Sequence, residues 1–245
     1  VGRATDLLGH ARVSGPITEI IEESESFPSA LPVKRDAHHA AWVTIQIGCD
    51  NSCAFCIVPS VRGKEISRPY NELISEVEQL AMAGVTEVTL LGQNVNSYGR
   101  DLTLKLRGTE VSAESSELVG EAWVRGPHTA RPLFSDLLSS VAEVTGIRRV
   151  RYTSPHPKDL RPETIDAMAQ VPEVCEHLHL PLQSGSDNVL SAMHRGYTAD
   201  RYIEKVDAAR RQIPDLALST DIIVGFPGET DVDFERTLEV AAEVR

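Results

Sequence analysis

The residue types able to do metal or redox chemistry are concentrated in one stretch, Gly48-Cys49-Asp50-Asn51-Ser52-Cys53-Ala54-Phe55-Cys56. Three of the four cysteines in the chain stand there, at the spacing Cys49-x3-Cys53-x2-Cys56. Thiolates ligate soft and borderline metals, and two kinds of centre suit three of them on one loop. A structural zinc ion takes four ligands, so the fourth would come from a distance: Cys175, His38, His39 or His156. An iron–sulfur cluster normally takes four cysteines. Held by three, it keeps one iron open to a small molecule, as a catalytic zinc keeps an open position. Spacing alone leaves both centres open. Cys175 reads more simply as a small buried apolar residue, and the side chains of His38-His39, being adjacent, are poorly placed to converge on one ion.

The elements that must position this loop alternate. An apolar run, Val43–Ile47, reads as a strand leading directly into the cysteines. Pro69 then opens a helical pattern with Leu73, Ile74, Val77, Leu80 and Ala81 on one face, ended by Gly84. A second strand, Glu87–Leu91, stops at Gly92-Gln93-Asn94. After a helix over Leu133–Ala142, a third strand, Arg149–Thr153, opens onto Ser154-Pro155-His156-Pro157. A helix near Pro162–Ala169 leads to a fourth strand, His177–Leu182, followed by Gln183-Ser184-Gly185-Ser186. Helices over Asp187–Met193 and Ala199–Gln212 precede a fifth strand, Ala217–Val224, which opens onto Gly225-Phe226-Pro227-Gly228-Glu229. A last helix covers Asp231–Val244. These are about five βα units, and strands joined by crossover helices make a parallel α/β sheet. In such sheets chemistry gathers at the C-terminal strand ends, so all five strand-end segments are expected on one rim. The sequence shows no closing repeat, and an open or incomplete barrel is expected.

Two regions depart from this rhythm. Residues 1 to about 40 read as an irregular, acidic linker or tail, and about 99–131 as an inserted surface loop of little periodicity. The core is expected over 41–245.

Composition sets limits on function. The apolar fraction of 41% and charged fraction of 24% suit a globular protein. No apolar run approaches the ~20 residues of a membrane helix, and the N-terminal residues lack a signal-peptide core; a cytoplasmic location is expected. A formal charge of -12 argues against a chain-wide electrostatic grip on nucleic acid, though not against a local basic patch. Four unevenly spaced cysteines favour metal or redox chemistry over a disulfide framework.

Taken together, the motifs resemble a known family. Cys-x3-Cys-x2-Cys after the first strand of a βα barrel resembles the radical S-adenosylmethionine (radical SAM) superfamily. The stretch Gly48–Gly63 with Ser67-Arg68-Pro69 is similar to its methylthiotransferases, and Gly92-Gln93-Asn94-Val95-Asn96-Ser97-Tyr98 to the branch acting on isopentenyladenosine in tRNA. Thr153-Ser154-Pro155-His156-Pro157, His179–Ser186 and Asp221–Glu229 continue the likeness, which covers 41–245 apart from the insert. Ser60 stands where a Tyr is usual. Branches acting on threonylcarbamoyladenosine in tRNA, or on an aspartate of a ribosomal protein, are the alternatives; Gln93-Asn94-Val95-Asn96 favours the first branch. Outside this family, a non-catalytic zinc-stabilised nucleic-acid-binding module and an inert cluster-binding scaffold compete.

The resemblance implies a partial TIM-like barrel of the radical SAM type. It also implies that Cys49, Cys53 and Cys56 hold a [4Fe–4S] cluster whose open iron is chelated by SAM. One-electron reduction then cleaves SAM to methionine and a 5′-deoxyadenosyl radical, which takes hydrogen from C2 of the adenine. A second SAM supplies the methyl group, and a second [4Fe–4S] cluster, expected in an N-terminal domain missing from this chain, passes on sulfur. For SAM itself, Phe55 is expected at the adenine, Gln93 and Asn94 at the methionyl group, Ser184, Gly185 and Ser186 at the ribose, and Val224 and Gly225 at the adenine. Competing structural readings are a core anchor for Phe55, a helix N-cap for Ser184–Ser186 and a tight turn for Val224-Gly225. Arg62, Arg68 and Arg195 are candidates for a carboxylate or RNA phosphate, or for ordinary surface pairs, and His156 for substrate contact. Implied partners are a tRNA presenting an anticodon-loop adenosine, a one-electron reductant protein and a sulfur donor, with the enzyme a monomer and no membrane involved.

Overall fold

In the computed structural model, residues 4–15 and 38–245 are described. Parallel strands β1 (Ala40–Thr44), β4 (Glu87–Leu91) and β5 (Arg149–Tyr152) lie side by side in that order, with Ala40 opposite Glu87 and Glu87 opposite Arg149. Strands β6 (His177–His179) and β7 (Ala217–Ser219) form a second parallel pair. A parallel bridge between Val150 and Val174 carries the order on from β5 toward β6, and one between Gln183 and Ile222 extends the β6–β7 pairing. The remaining strands, β2 (Gln46–Ile47) and β3 (Ile66–Ser67), pair antiparallel across the base of the cysteine loop.

Ten helices accompany them among the described residues: α1 (Ala4–Ser14), α2 (Val58–Arg62), α3 (Tyr70–Met82), α4 (Arg100–Lys105), α5 (Ala113–Val124), α6 (Phe134–Ala142), α7 (Pro162–Gln170), α8 (Asp187–Ala192), α9 (Ala199–Gln212) and α10 (Asp231–Glu243). Helices α3, α6, α7, α9 and α10 pack each on the next along the sheet. The strands alternate as a sheet covered on one face should. Val43, Val88, Leu90, Val150 and Leu178 are fully buried, while Trp42, between buried Ala41 and Val43, is 69% exposed. Most of the other residues alternating with the buried set are polar. Glu87 pairs with Arg151 at 3.2 Å, and Ser219 Oγ lies 3.0 Å from His179 Nδ1 and 3.2 Å from His177 Nε2.

Five parallel βα units in the expected order are present. The differences from the sequence reading are local. The first strand breaks at Ile45, because its N–H bonds Leu91 and its carbonyl accepts from Arg68, so Gln46–Ile47 turns away to pair with β3. Strands four and five end early, at His179 and Ser219. The region 99–131 is not a loop. It folds as α4 and α5, and several of its apolar residues are spent on the core: Leu102, Val119 and Trp123 are buried, with Trp123 Nε1 donating to the Thr129 carbonyl. Within 1–40, Ala4–Ser14 is helical rather than irregular; its exposed Leu8 and Val13 give it little periodic apolar signal. Residues 16–37, most of the expected linker, lie outside the described residues. No helix among the described residues is long and apolar enough to cross a membrane.

Candidate active site

The cysteine loop hangs from the C-terminal end of β1 and is shut at its base by the β2–β3 ladder. Gly48 makes the entry turn. At φ 71° it stands in the left-handed region, and a Cβ there would sit 2.0 Å from the Lys64 carbonyl oxygen, so only glycine fits. Cys49 N–H closes the turn on the Gly63 carbonyl at 3.2 Å, and Asp50 Oδ1 accepts from Glu65 N–H at 3.0 Å.

Cys49 and Cys53 are half-buried and Cys56 is exposed, all three as free thiols. Burial pushes the Cys49 thiol up. The Asn51 N–H on its sulfur pulls it down, and negative charge on Glu65, Cys53 and Cys56 pushes it up again. The three sulfurs therefore lie within electrostatic reach of one another, although no three His, Cys, Asp or Glu side chains among the described residues are already drawn in to ligating geometry. The donor set fits a cluster better than a hydrolytic metal. It consists of thiols alone, on an accessible loop, and no fourth ligand from His38, His39, His156 or Cys175 joins it. Cys175 lies before β6, with its N–H on the Val150 carbonyl; burial pushes its thiol up, and Arg151, Glu87 and Arg149 are the charges that act on it.

The loop docks on two other segments, the α8–α9 connection and the one after β5. Between α8 and α9, Ala54 N–H donates to the Met193 carbonyl at 3.1 Å, and His194 Nδ1 lies 3.0 Å from the Ser52 carbonyl. Arg195, 6% exposed, donates from Nη1 to Cys53 Sγ at 3.3 Å and from Nε to the Tyr197 hydroxyl at 3.3 Å. Its guanidinium also stands 5.9 Å from the Phe55 ring centroid and 5.5 Å from that of Tyr197. After β5, Lys158 Nζ donates to Asn51 Oδ1 at 2.6 Å.

Beneath the loop lies a buried polar network. Asn94 donates from Nδ2 to Asp159 at 2.8 Å, and Asp159 also pairs with Arg100. The Asn94 carbonyl takes Gln46 Nε2 and Ser97 Oγ, and Ser97 Oγ lies 2.5 Å from Glu65 Oε2. Glu65 is pushed up to about 7, mainly by burial. His156 is buried with its Nε2 unpartnered, and burial followed by the Arg195 charge takes it down to about 3, so it stays neutral. Asn94 Oδ1 and Gln46 Oε1 are likewise buried and unpartnered. Buried polar atoms without partners are rare, and here they accumulate around one place.

The predicted site residues separate into groups. Cys49, Cys53, Cys56 and Phe55 come together, with Phe55 43% exposed and over a cation rather than in the core. Asn94 is buried in the network while Gln93 is exposed. Ser184, Gly185 and Ser186 face α10: Gly185 N–H and Ser184 Oγ meet Thr237 Oγ1 at 2.9 and 3.2 Å, and Ser186 caps α8. Val224 and Gly225 are exposed, on a turn where the Gly225 and Phe226 N–H groups bond Glu229 Oε2. Among the arginines, Arg62 is exposed and Arg68 is buried against Glu76 at 2.6 Å. Sequence reasoning missed Glu65, Lys158 and Tyr197. Arg195 was visible as a cation, but nothing in the chain order pointed it at Cys53.

Comparison with known proteins agrees with this geometry. Residues 43–241 match the model of the radical SAM superfamily. Over 249 residues the chain is 46% identical to the tRNA-2-methylthio-N(6)-dimethylallyladenosine synthase of Mycobacterium sp. (strain JLS), covering all of this chain and 45% of that protein. It is 50% identical over 227 residues to the synthase 1 of that name from Mycobacterium marinum, covering 93% of this chain and 40% of that protein. The chain thus spans under half the length of these relatives. Among solved structures, the radical S-adenosylmethionine methyltransferase TsrM from Kitasatospora setae superposes with a TM-score of 0.58 at 16% identity, covering 84% of this chain and 34% of that one. The cobalamin-dependent S-adenosylmethionine radical enzyme OxsB gives 0.53 at 11%, covering 82% and 26%. The likeness to both is one of fold. With the match running over 43–241 and the cysteine loop at the end of its first strand, the chain belongs to the radical SAM superfamily.

Proposed function

We propose that this chain is the SAM-cleaving part of a tRNA methylthiotransferase that adds a methylthio group to C2 of N6-isopentenyladenosine in the anticodon loop. The observation that carries the reading is the three-thiol loop at the head of the parallel sheet, in a sequence 46–50% identical to synthases of that name. Cys49, Cys53 and Cys56 would hold a [4Fe–4S] cluster and leave one iron for SAM. When bound, that cluster supplies the electron that cleaves SAM and so starts hydrogen removal from the adenine. The chain's own residues do the rest. The β2–β3 ladder and Gly48 present the thiols, and Phe55 offers an exposed aromatic face beside them. The unpartnered Asn94 Oδ1 offers an acceptor to an ammonium group. Neutral His156, whose Nδ1 accepts from the Lys158 N–H, carries its proton on Nε2 and can donate there without adding charge. For the residue roles at ribose and adenine, Ser184–Ser186 and Val224-Gly225 remain part of the proposal. The tight packing of Ser184 and Gly185 on α10 supports a shaping role there.

Sulfur insertion needs further parts. The chain has one cysteine outside the loop, Cys175, on the far side of β6. The second cluster of this reading is therefore placed outside residues 1–245, with tRNA, a one-electron reductant protein and a sulfur donor as partners. Residues 41–245 are the proposed catalytic core.

Anaerobic reconstitution of the chain with iron and sulfide tests the reading. About four irons and four sulfides per chain are expected, with 5′-deoxyadenosine formed from SAM under reductant. A colourless protein holding only zinc would overturn it.

A further inference from the structure

Arg195 presents a physical problem that the proposed function does not solve. Its guanidinium is buried, and a buried cation is costly unless an anion stands beside it. No carboxylate among the described residues does so. Its polar neighbours are Cys53 Sγ and the Tyr197 hydroxyl, and its other contacts are the faces of Phe55 and Tyr197. The backbone goes out of its way to hold this arrangement. His194, immediately before it, takes φ 57°, a left-handed conformation costly for a non-glycine residue, and Gly196 after it takes φ 69°. Bonds from Ala54 to Met193 and between His194 and Ser52 then lock this strained turn to the cysteine loop on either side of Cys53.

We propose that Arg195 is a positioning residue for the cluster, donating an N–H···S bond to the Cys53 thiolate and raising the potential at which the bound cluster accepts its electron. The inference rests on the cluster reading above and adds a role to a residue outside the ligand set. Its electrostatics have a definite sign. Reduction adds one electron, hence one negative charge, to the cluster, and the guanidinium stays protonated throughout, so no proton moves. A fixed buried cation stabilises the more negative state, and hydrogen bonds to cluster sulfur act in the same direction. Phe55 and Tyr197 strengthen the effect by keeping water from screening it.

The test uses the whole chain, reconstituted anaerobically and titrated with dithionite through redox mediators in the absence of SAM. Arg195→Gln is expected to lower the midpoint potential at unchanged iron content, and Arg195→Lys to fall between that variant and the parent. Independently of any variant, parent protein labelled with 15N-arginine is expected to show a nitrogen coupling to the reduced cluster by electron–nuclear double resonance. A fully loaded Arg195→Gln protein with the parent's potential, or a labelled parent without that coupling, overturns the proposal. So does an unchanged potential with at least tenfold weaker SAM binding, which would make Arg195 a clamp for the SAM carboxylate instead. Failure of the parent itself to load iron would instead refute the cluster reading, which separates the two claims.

Discussion

The loops after β1 and β6 both stand at C-terminal strand ends, yet they are built in opposite ways. Residues 48–65 are largely exposed, held at their base by backbone bonds and near Cys53 by the 193–195 turn and Lys158, with Cys56, Ile57 and Val61 open to solvent. In the segment Gln183–Ser186 the last three residues are buried, and both serine side chains find protein partners: Ser184 on Thr237, Ser186 on Asp233. A loop that awaits a bulky group must leave its ligands uncommitted, whereas one that frames the site spends its polar groups on the fold. The first loop is thus specified by chemistry and the second by packing, and mutations should tell them apart.

Replacing Cys49, Cys53 and Cys56 together by Ala gives the largest expected contrast. Iron binding should vanish in reconstitution, while the unfolding free energy of the iron-free protein falls by only about 1–2 kcal/mol, chiefly because Arg195 loses its Cys53 partner. A collapse of stability would show that the loop is structural after all. Gly185→Val probes the other loop. A Cβ there meets the Arg236 carbonyl oxygen and Thr237 Cα at 2.6 Å, both backbone atoms of α10 that cannot swing aside. The cost should be about 3 kcal/mol or more by chemical denaturation. Material that remains folded should still load iron, because α10 does not carry the thiols.

A smaller effect lies beneath the first loop. Glu65 is buried and raised to about 7 from an ordinary value near 4.5. Between these limits the native state binds more protons than the unfolded one. Its contribution is therefore complete below about pH 4.5 and is lost as pH rises through 7, at most about 3 kcal/mol. His156, lowered from 6.5 to about 3, works with the opposite sign between those values and, being present in both proteins, cancels in a comparison with a Glu65 variant. Stability of the iron-free protein, measured from pH 4.5 to 8, should fall relative to Glu65→Gln over that window. Parallel curves would mean that Glu65 is ionised in the fold.

The same contrast explains what could be read from the chain alone. The three-thiol spacing, the strand Glu87–Leu91 and the helix Ala199–Gln212 were legible because each is a local pattern with a fixed period. The helical character of 99–131 was not. Trp123 and Val119 are buried only because α5 lies across α3, a tertiary fact that leaves a weak periodic signal. Ser184-Gly185-Ser186 showed itself as special, but its partner Thr237 lies 52 residues from Gly185, so sequence could not say whether a ligand or a helix filled it. Arg195 posed the same problem at a separation of 142 residues from Cys53.

The smallest expected effect sharpens the comparison most. Lys158 reaches Asn51 Oδ1 from the segment after β5, an exposed bond of 2.6 Å between the framing side and the ligand side. Exposed bonds of this kind contribute little, so Lys158→Ala should change stability by about 0.5 kcal/mol or less. Its consequence should appear in the loop instead. With that tie gone, the segment 50–52 is held at the base by Asp50 and near Cys53 by His194, so the exchange of its amide protons should quicken while that of Gly185 and Ser186 does not change. Equal acceleration in both loops would mean that they open together, and that the division between a loop kept free for chemistry and a loop spent on packing is not real.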